Sequence, residues 1–309
     1  MKVVVKTSNL TREEWLKYRT KGIGGSDVSI IAGINPFKSV HQLWLEKTGQ
    51  AEPEEEGSEY THFGTLLEPI VRKEFMERTG IKVRQKHMLL QSEEHPFMFA
   101  DLDGVINEDG QLCIFEAKTA SAYKQEVWEE EVPAPYILQI QHYMAVTGAK
   151  KTYIAALVGG NHFFYHVVER DEEMIAKIIV MEKYFWQHHV MGGVEPVPDG
   201  SEATTRYFNE RFRNSNGETI ELPDEVLQVC EEYDNLTRQI RELETAKNAA
   251  ANQLKSYLGE AEAGTVGDRK ITWKSVSKNS VDTKRLKSEH PDIYTDCLTQ
   301  SSYRRFLVA

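Results

Sequence analysis

Asp101-Leu-Asp-Gly-Val-Ile-Asn-Glu-Asp-Gly-Gln-Leu-Cys-Ile-Phe-Glu-Ala-Lys118 decides the fold. The turn residues Asn107-Glu-Asp-Gly110 separate two apolar runs, which predicts a hairpin between strands over 97–105 and 112–118. Residues two apart on a strand share a face, so Glu116 and Lys118 point the same way. Asp103, ending the preceding strand, falls within reach of that face. Two converging carboxylates and the backbone carbonyl of Ala117 make an oxygen-rich site suited to Mg²⁺ or Mn²⁺. An ammonium beside them suits the positioning of a water that attacks phosphorus. The competing reading is a solvated strand face laced with ion pairs. The apolar Phe97-Met-Phe-Ala100, with Leu112, Ile114 and Phe115, argues instead for a buried sheet, where a carboxylate and a lysine are costly without a task.

Outward from this hairpin, the capping box Thr11-Arg-Glu-Glu14 predicts a helix over 12–18. Gly22-Ile-Gly-Gly-Ser-Asp27 reads as a glycine turn with Ser26 capping a helix over 27–32, and a further helix follows Ser39. The glutamate-rich stretch 50–58 reads as a solvated loop. Phe63, Leu66, Leu67, Ile70, Val71 and Phe75 recur at helical spacing over 61–79, with Pro69 predicting a kink or late start. A strand over 82–91, a helix over 135–146, strands over 152–158 and 163–169, and a helix over 172–189 complete an α/β core. Its expected form is a mixed sheet flanked by helices.

The expected domains are a core over 1–195, a linker over 196–222, a long amphipathic helix or coiled-coil arm over 223–260, and a basic extension over 261–309. Along the arm, Val226, Cys230, Tyr233, Ile240, Leu243, Ala250, Leu254 and Tyr257 follow spacings of three and four. From Thr265 onward, nine lysines and arginines face five carboxylates, with a strand expected over 270–276.

The 309 residues carry a net charge of −11, which excludes a generally basic nucleic-acid binder but not an enzyme with a local basic channel. Three dispersed cysteines form neither a zinc pattern nor a disulfide framework, in keeping with a reducing cytoplasm. No apolar run is long enough to span a membrane, and the N-terminus lacks a signal-peptide pattern.

Together the motifs resemble the PD-(D/E)xK nucleases, and within them the lambda exonuclease and YqaJ viral recombinase group. The resemblance runs through Trp15-Leu-Lys-Tyr-Arg19, Gly22-Ile-Gly-Gly-Ser-Asp27, Gly64-Thr-Leu-Leu-Glu68, Asp103-Gly104, Glu116-Ala-Lys118 and Gln139-Ile-Gln-His-Tyr-Met-Ala-Val-Thr147. It implies a Mg²⁺-dependent exodeoxyribonuclease that resects linear duplex DNA from 5′ ends and leaves 3′ overhangs. A RecT/beta-type single-strand annealing protein would be its partner, and a homo-oligomer its assembly. Asp103, Glu116 and the Ala117 carbonyl would hold metal, Lys118 would orient water, Glu68 would add an acidic group, and Gln139 would stand near the water or the metal shell.

Arg19 and Ser26 would grip a terminal 5′-phosphate. A helix start after Gly24-Gly25 offers backbone N–H groups to an anion, and Arg19 supplies a planar fork. The plainer reading is that Ser26 caps its helix and the glycines turn the chain. Lys284, Arg285, Lys287, Arg304 and Arg305 are candidate phosphate contacts of the tail. Trp128 suits either an unpaired base or the core, and Tyr136 and Tyr143 read as packing residues. A same-fold endonuclease and a non-catalytic DNA-binding scaffold are the alternatives.

Overall fold

The computed structural model describes residues 1–51, 59–299 and 301–308. Residues 52–58 of the expected solvated loop lie outside them. The chain forms two units, Met1–Arg211 and Phe212–Ala309.

The first unit opens with β1 (Lys2–Lys6), α1 (Arg12–Arg19), α2 (Gly25–Ile31), α3 (Val40–Lys47) and α4 (Glu59–Thr79). Next come β2 (Met88–Gln91), β3 (Phe99–Asp101), β4 (Gly104–Glu108) and β5 (Gln111–Ala120). It closes with α5 (Gln125–Glu130), α6 (Ala134–Thr147), β6 (Lys151–Val158), β7 (His162–Glu169), α7 (Glu172–Tyr184) and α8 (Glu202–Arg211). The capping box expected from sequence forms, Thr11 with Glu14 starting α1, and the helix expected after Ser39 starts with a second one, Ser39 with Gln42, at α3.

The main sheet is mixed, ordered β4-β5-β6-β7, with β5 and β6 parallel and the outer pairs antiparallel. The β4–β5 hairpin turns at Asp109 (φ 51°) and Gly110 (φ 84°), two left-handed residues that match the twist of the strands. The parallel pair requires a crossover, which α5 and α6 supply. Helix α4 covers one face, where Phe75 meets Phe115 and Tyr153 at ring distances of 5.0 and 5.7 Å. Helix α6 covers the other, burying Ile140 against Ile154 and Ala156. The mixed α/β core flanked by helices is thus the expected one.

Several expectations need correction. The run 97–105 is two strands in two sheets, because the chain bends at Leu102-Asp103: β3 joins β1 and β2, and β4 joins the main sheet. Of 82–91 only Met88–Gln91 is a strand, with Arg84 making an isolated bridge to Val105. Strand β1 was not legible, since Val3-Val4-Val5 has no alternation; pairing with β2 creates it. Helix α4 runs through Pro69, yet its Phe63, Leu66 and Ile70 stay exposed while Val71 and Phe75 are buried. Helix α7 ends at Tyr184, and residues Phe185–Met191 continue as a π-helical turn. The segment expected to be a linker begins in the first unit, because α8 buries Ala203 and Thr204 and sets Tyr207 and Phe208 against His41 of α3.

The second unit holds α9 (Val226–Leu258), the hairpin β8 (Ala263–Val266) and β9 (Arg269–Thr272), α10 (Thr283–Glu289) and α11 (Pro291–Asp296). The tail strand is shorter than 270–276 and finds its partner in β8. Helix α9 is a continuous 33-residue helix with no buried residue.

Candidate active site

The site forms where β4 ceases to pair with β5. The last register pair is Gly104 with Phe115, so β5 continues past its neighbour and the backbone edge at Glu116–Lys118 is uncovered on that side. Asp103, just beyond the end of β4, fills the gap: its Oδ2 accepts from the Ala117 N–H at 2.8 Å. A strand residue presents its N–H and C=O to the same side, so the Ala117 carbonyl shares the edge that Asp103 occupies. Gly104 is needed at this junction, since a Cβ there would stand 2.4 Å from Val83 Cγ1.

On the face toward α6, Glu116 and Lys118 meet as their spacing predicts, Lys118 Nζ donating to Glu116 Oε1 at 2.7 Å. Gln139 Nε2 of α6 donates to the same oxygen at 2.7 Å and lies 3.1 Å from Tyr143 Oη. The Lys118 ammonium also stands 5.1 Å from the centre of the Tyr136 ring. Glu116 is only 2% exposed, and its Oε2 has no hydrogen-bond partner among the described residues. A buried carboxylate oxygen left unsatisfied is costly, and it marks where a cation or water would be welcome. Burial, then the Asp103 charge, pushes the Glu116 carboxyl up to about 8. Burial opposes the charge of Lys118, but Glu116 and Asp103 outweigh it and hold the ammonium above its ordinary value. Asp103 is likewise raised, by burial first.

Glu68 of α4 is drawn to the same corner. Burial and then the Asp103 charge raise its carboxyl, while Arg72 holds its Oε1 at 3.1 Å. Among the described residues, no group of three or more His, Cys, Asp or Glu side chains is close enough to hold an ion by itself. The donors present still fit a hard divalent cation. Asp103, Glu116 and the Ala117 carbonyl are all oxygens, the free Glu116 Oε2 is one of them, and Mg²⁺ usually keeps several waters beside one or two carboxylates.

A second cluster adjoins the first through α2. Gly24, not Ser26, is the N-cap of that helix, with extended φ −93° and ψ 167°. Asp27 supplies the cap by accepting from Gly24 N–H at 2.9 Å. Ser26, one residue inside the helix, cannot reach back, and its Oγ accepts from Arg19 Nη2 at 2.9 Å. The same nitrogen donates to Asp27 Oδ1 at 2.8 Å, and Lys47 Nζ reaches Asp27 Oδ2 at 2.7 Å. Burial alone would raise the Asp27 carboxyl, but the Lys47 and Arg19 charges hold it well below the usual carboxylate range. The Arg19 guanidinium stacks 5.1 Å over Trp15, whose indole N–H donates to Asp101 Oδ2 at 2.9 Å. Trp15, Arg19, Gly24, Gly25, Asp101 and Tyr143 line a cavity of about 20 Å³, room for one water.

The structure therefore brings Asp103, Glu116, Ala117, Lys118, Gln139 and Glu68 to one corner, and Arg19, Ser26 and Gly25 to the next. Lys284, Arg285, Lys287, Arg304 and Arg305 lie in the second unit. There Arg285 pairs with Glu289 at 2.8 Å, and Arg304 donates to the Phe212 carbonyl at 3.2 Å. Trp128 is 1% exposed and stacks on Tyr136, which makes it a core residue. Tyr136 and Tyr143, read as packing residues, touch Lys118 and Gln139. Asp27, Lys47 and Asp101 were missed. Asp27 and Asp101 belong to quoted motifs, but nothing local marks their partners, 20 and 86 residues away.

The YqaJ-like viral recombinase domain model matches residues 14–150. The uncharacterized protein YqaJ of Bacillus subtilis (strain 168) is 42% identical over 308 residues, covering 98% of this chain and 96% of that protein. The chain belongs to the YqaJ-like viral recombinase family. The uncharacterized protein R354 of Acanthamoeba polyphaga mimivirus is 25% identical over 192 residues, 62% of this chain and 33% of that one. Among solved structures, LHK-Exo in complex with dAMP, an alkaline exonuclease from Laribacter hongkongensis, aligns with a TM-score of 0.50. That alignment has 21% identity and covers 59% of this chain and 93% of LHK-Exo. The family's matched region ends near the start of β6, so every residue of the two corners lies within it. The likeness to LHK-Exo is one of fold, over 59% of this chain.

Proposed function

We propose that this family member is a metal-dependent exodeoxyribonuclease that resects linear double-stranded DNA from its 5′ ends. The observation that carries the reading is the buried Glu116, pinned through one oxygen by Lys118 and Gln139 beside Asp103, with its other oxygen free. Asp103, Glu116 and the Ala117 carbonyl are the residues that would hold Mg²⁺, or Mn²⁺ in its place, with Glu68 contributing directly or through water. A bound divalent ion supplies positive charge against the scissile phosphate. Lys118, charged in this environment, acts as a donor that orients the attacking water and steadies charge developing on the phosphate oxygens. Gln139 fixes the Glu116 rotamer through its amide, and Tyr136 confines the Lys118 ammonium from the side.

Arg19 grips the terminal 5′-phosphate. Its Nη2 is held by Ser26 and Asp27, and the side chain lines the small cavity described above, so that a phosphate there would meet a fixed guanidinium. An end-grip there sets the polarity as 5′ to 3′ and leaves a 3′ overhang. That product is what a RecT/beta-type annealing protein takes up in recombination of the phage type, in the cytoplasm of a bacterial host. The basic residues of the second unit would hold the DNA backbone.

The test is a time course on linear duplex DNA labelled at its 5′ or 3′ end, with Mg²⁺ or with EDTA. Early Mg²⁺-dependent release of 5′ mononucleotides, reduced about 10²–10⁴-fold in Lys118→Ala, is the expected result. Cutting of closed circular DNA would replace the exonuclease with an endonuclease. Loss of cleavage with every divalent metal would leave a DNA-binding scaffold.

A further inference from the structure

We infer that α9 pairs with the α9 of a second copy of this chain as an antiparallel coiled coil. Over 33 residues, about 50 Å of helix, a seven-residue repeat of mostly apolar side chains runs along one side. The first seam position is taken by Val226, Tyr233, Ile240, Lys247 and Leu254. The second, three residues on, is taken by Val229, Leu236, Leu243, Ala250 and Tyr257. Nothing in the helix is buried: Leu243 is 69% and Tyr257 88% exposed. Phe306 lies edge-on to Tyr233 at 5.8 Å and leaves that ring 44% exposed. A seam of this length with an apolar side chain at nine of its ten positions is far more than isolated surface residues account for. Most of the charged side chains, among them Asp234, Arg238, Arg241, Glu242 and Lys255, fall on the opposite side.

Volume and charge select the partner and its direction. In an antiparallel pair each first-position residue faces a second-position one. Centring the pair between Arg241 and Glu242 overlaps the helices fully. Tyr233 then faces Ala250, Val226 faces Tyr257, Ile240 faces Leu243 and Leu254 faces Val229. Each large ring thus meets a smaller side chain, the alternation a tight core requires. Lys247 faces Leu236, one helical turn from the Glu232 of the other copy. A parallel pair would set tyrosine on tyrosine, alanine on alanine and Lys247 on Lys247. The flanking positions are no obstacle, because among Cys230, Glu232, Thr237, Gln239, Glu244, Ala246, Ala251, Gln253 and Leu258 only two are charged. The helix therefore complements itself in one register, which makes a second copy the occupant.

The full-length chain tests this by light scattering after gel filtration. The expected result is that Ile240→Asp/Leu243→Asp has half the mass of the wild type, with an unchanged thermal transition of the α/β core. Equal masses overturn the proposal, whether the seam is then covered within one chain or by another protein. Direction is read separately, with Cys230→Ser and Cys297→Ser in both chains and Cys113 buried. A Leu236→Cys chain mixed with a Lys247→Cys chain should give the mixed disulfide on oxidation with diamide. Neither should cross-link when alone, because like positions then lie about 16 Å apart along the axis, beyond disulfide reach. Self-cross-linking of either chain overturns the antiparallel register.

Discussion

Gly25 and Tyr143 are in direct contact across the junction of the two corners: a Cβ on Gly25 would stand 2.5 Å from Cε1 of the tyrosine ring. It would also stand 2.9 Å from Cγ of Gln139, the residue that holds Glu116. The glycine is required for this approach rather than for its backbone angles. Gly25→Ala should therefore cost about 1–3 kcal/mol in urea unfolding. It should also lower the cleavage rate further than stability explains, by displacing Gln139. An alanine variant with wild-type stability and rate would show that the helices part without consequence.

Among the described residues Arg19 bonds Ser26 and Asp27 and stacks on Trp15, apart from Glu116 and Lys118, so on the proposed reading its loss should act on the DNA end and not on bond cleavage. Arg19→Ala is expected to erase the preference for 5′-phosphorylated over 5′-hydroxyl ends, and to slow digestion of the phosphorylated substrate about tenfold or more. Rates on matched substrates differing only in the terminal phosphate measure this. Equal slowing on both ends would assign Arg19 to the fold.

Asp27 links folding to acid. Its folded carboxyl lies below its unfolded value, so the native state releases its proton more readily, and the stabilisation is complete above that unfolded value, near pH 4. It is lost as pH falls below about 4. Asp27→Asn should cost about 3–5 kcal/mol at pH 7, because it strands the buried Lys47 beside Arg19. It should also flatten the acid limb of the stability profile. Urea midpoints from pH 2.5 to 7 for both proteins decide it.

His142 of α6 has acceptors at both ring nitrogens, Glu182 Oε1 at 2.7 Å and the Phe99 carbonyl at 2.8 Å. The imidazolium, with two N–H donors, satisfies both acceptors at once. Burial alone would lower its pKa, but Glu182 raises it above the ordinary histidine value. The stabilisation is thus present below about pH 6.5, the unfolded value, and lost as pH rises through the folded one. Nitrogen-15 shifts of His142 should report a doubly protonated ring at pH 7. A neutral tautomer there would remove the clamp between α6, α7 and β3.

Much of the corner around Glu116 was legible because its signals are local. Glu116 and Lys118 share a face by strand periodicity, and Asn107-Glu-Asp-Gly110 delivers the turn that returns Asp103 to them. The second corner was less so. Ser26 looked like a cap because serine after a glycine turn usually is one, but the longer Asp27 side chain reaches the Gly24 N–H and displaces it. Trp128 carried no mark that distinguishes a base platform from a core ring, since both use the same exposed-in-sequence aromatic chemistry.

What the sequence determined by itself is whatever depends on neighbours within a turn or a strand pair: the capping box of α1, the hairpin, the seven-residue repeat of α9 and the facing of Glu116 with Lys118. Tertiary structure decided the rest. The bend at Leu102-Asp103 divides one apolar run between two sheets and sets the Asp103 carboxylate against the β5 edge where β4 has stopped. The Asp27–Lys47 and Trp15–Asp101 bonds, and the contact of Gly25 with Tyr143, join residues 20 to 118 positions apart. Burial alone makes such partners obligatory, by raising the cost of an unpaired polar group, and burial is fixed only when the helices close on the sheet.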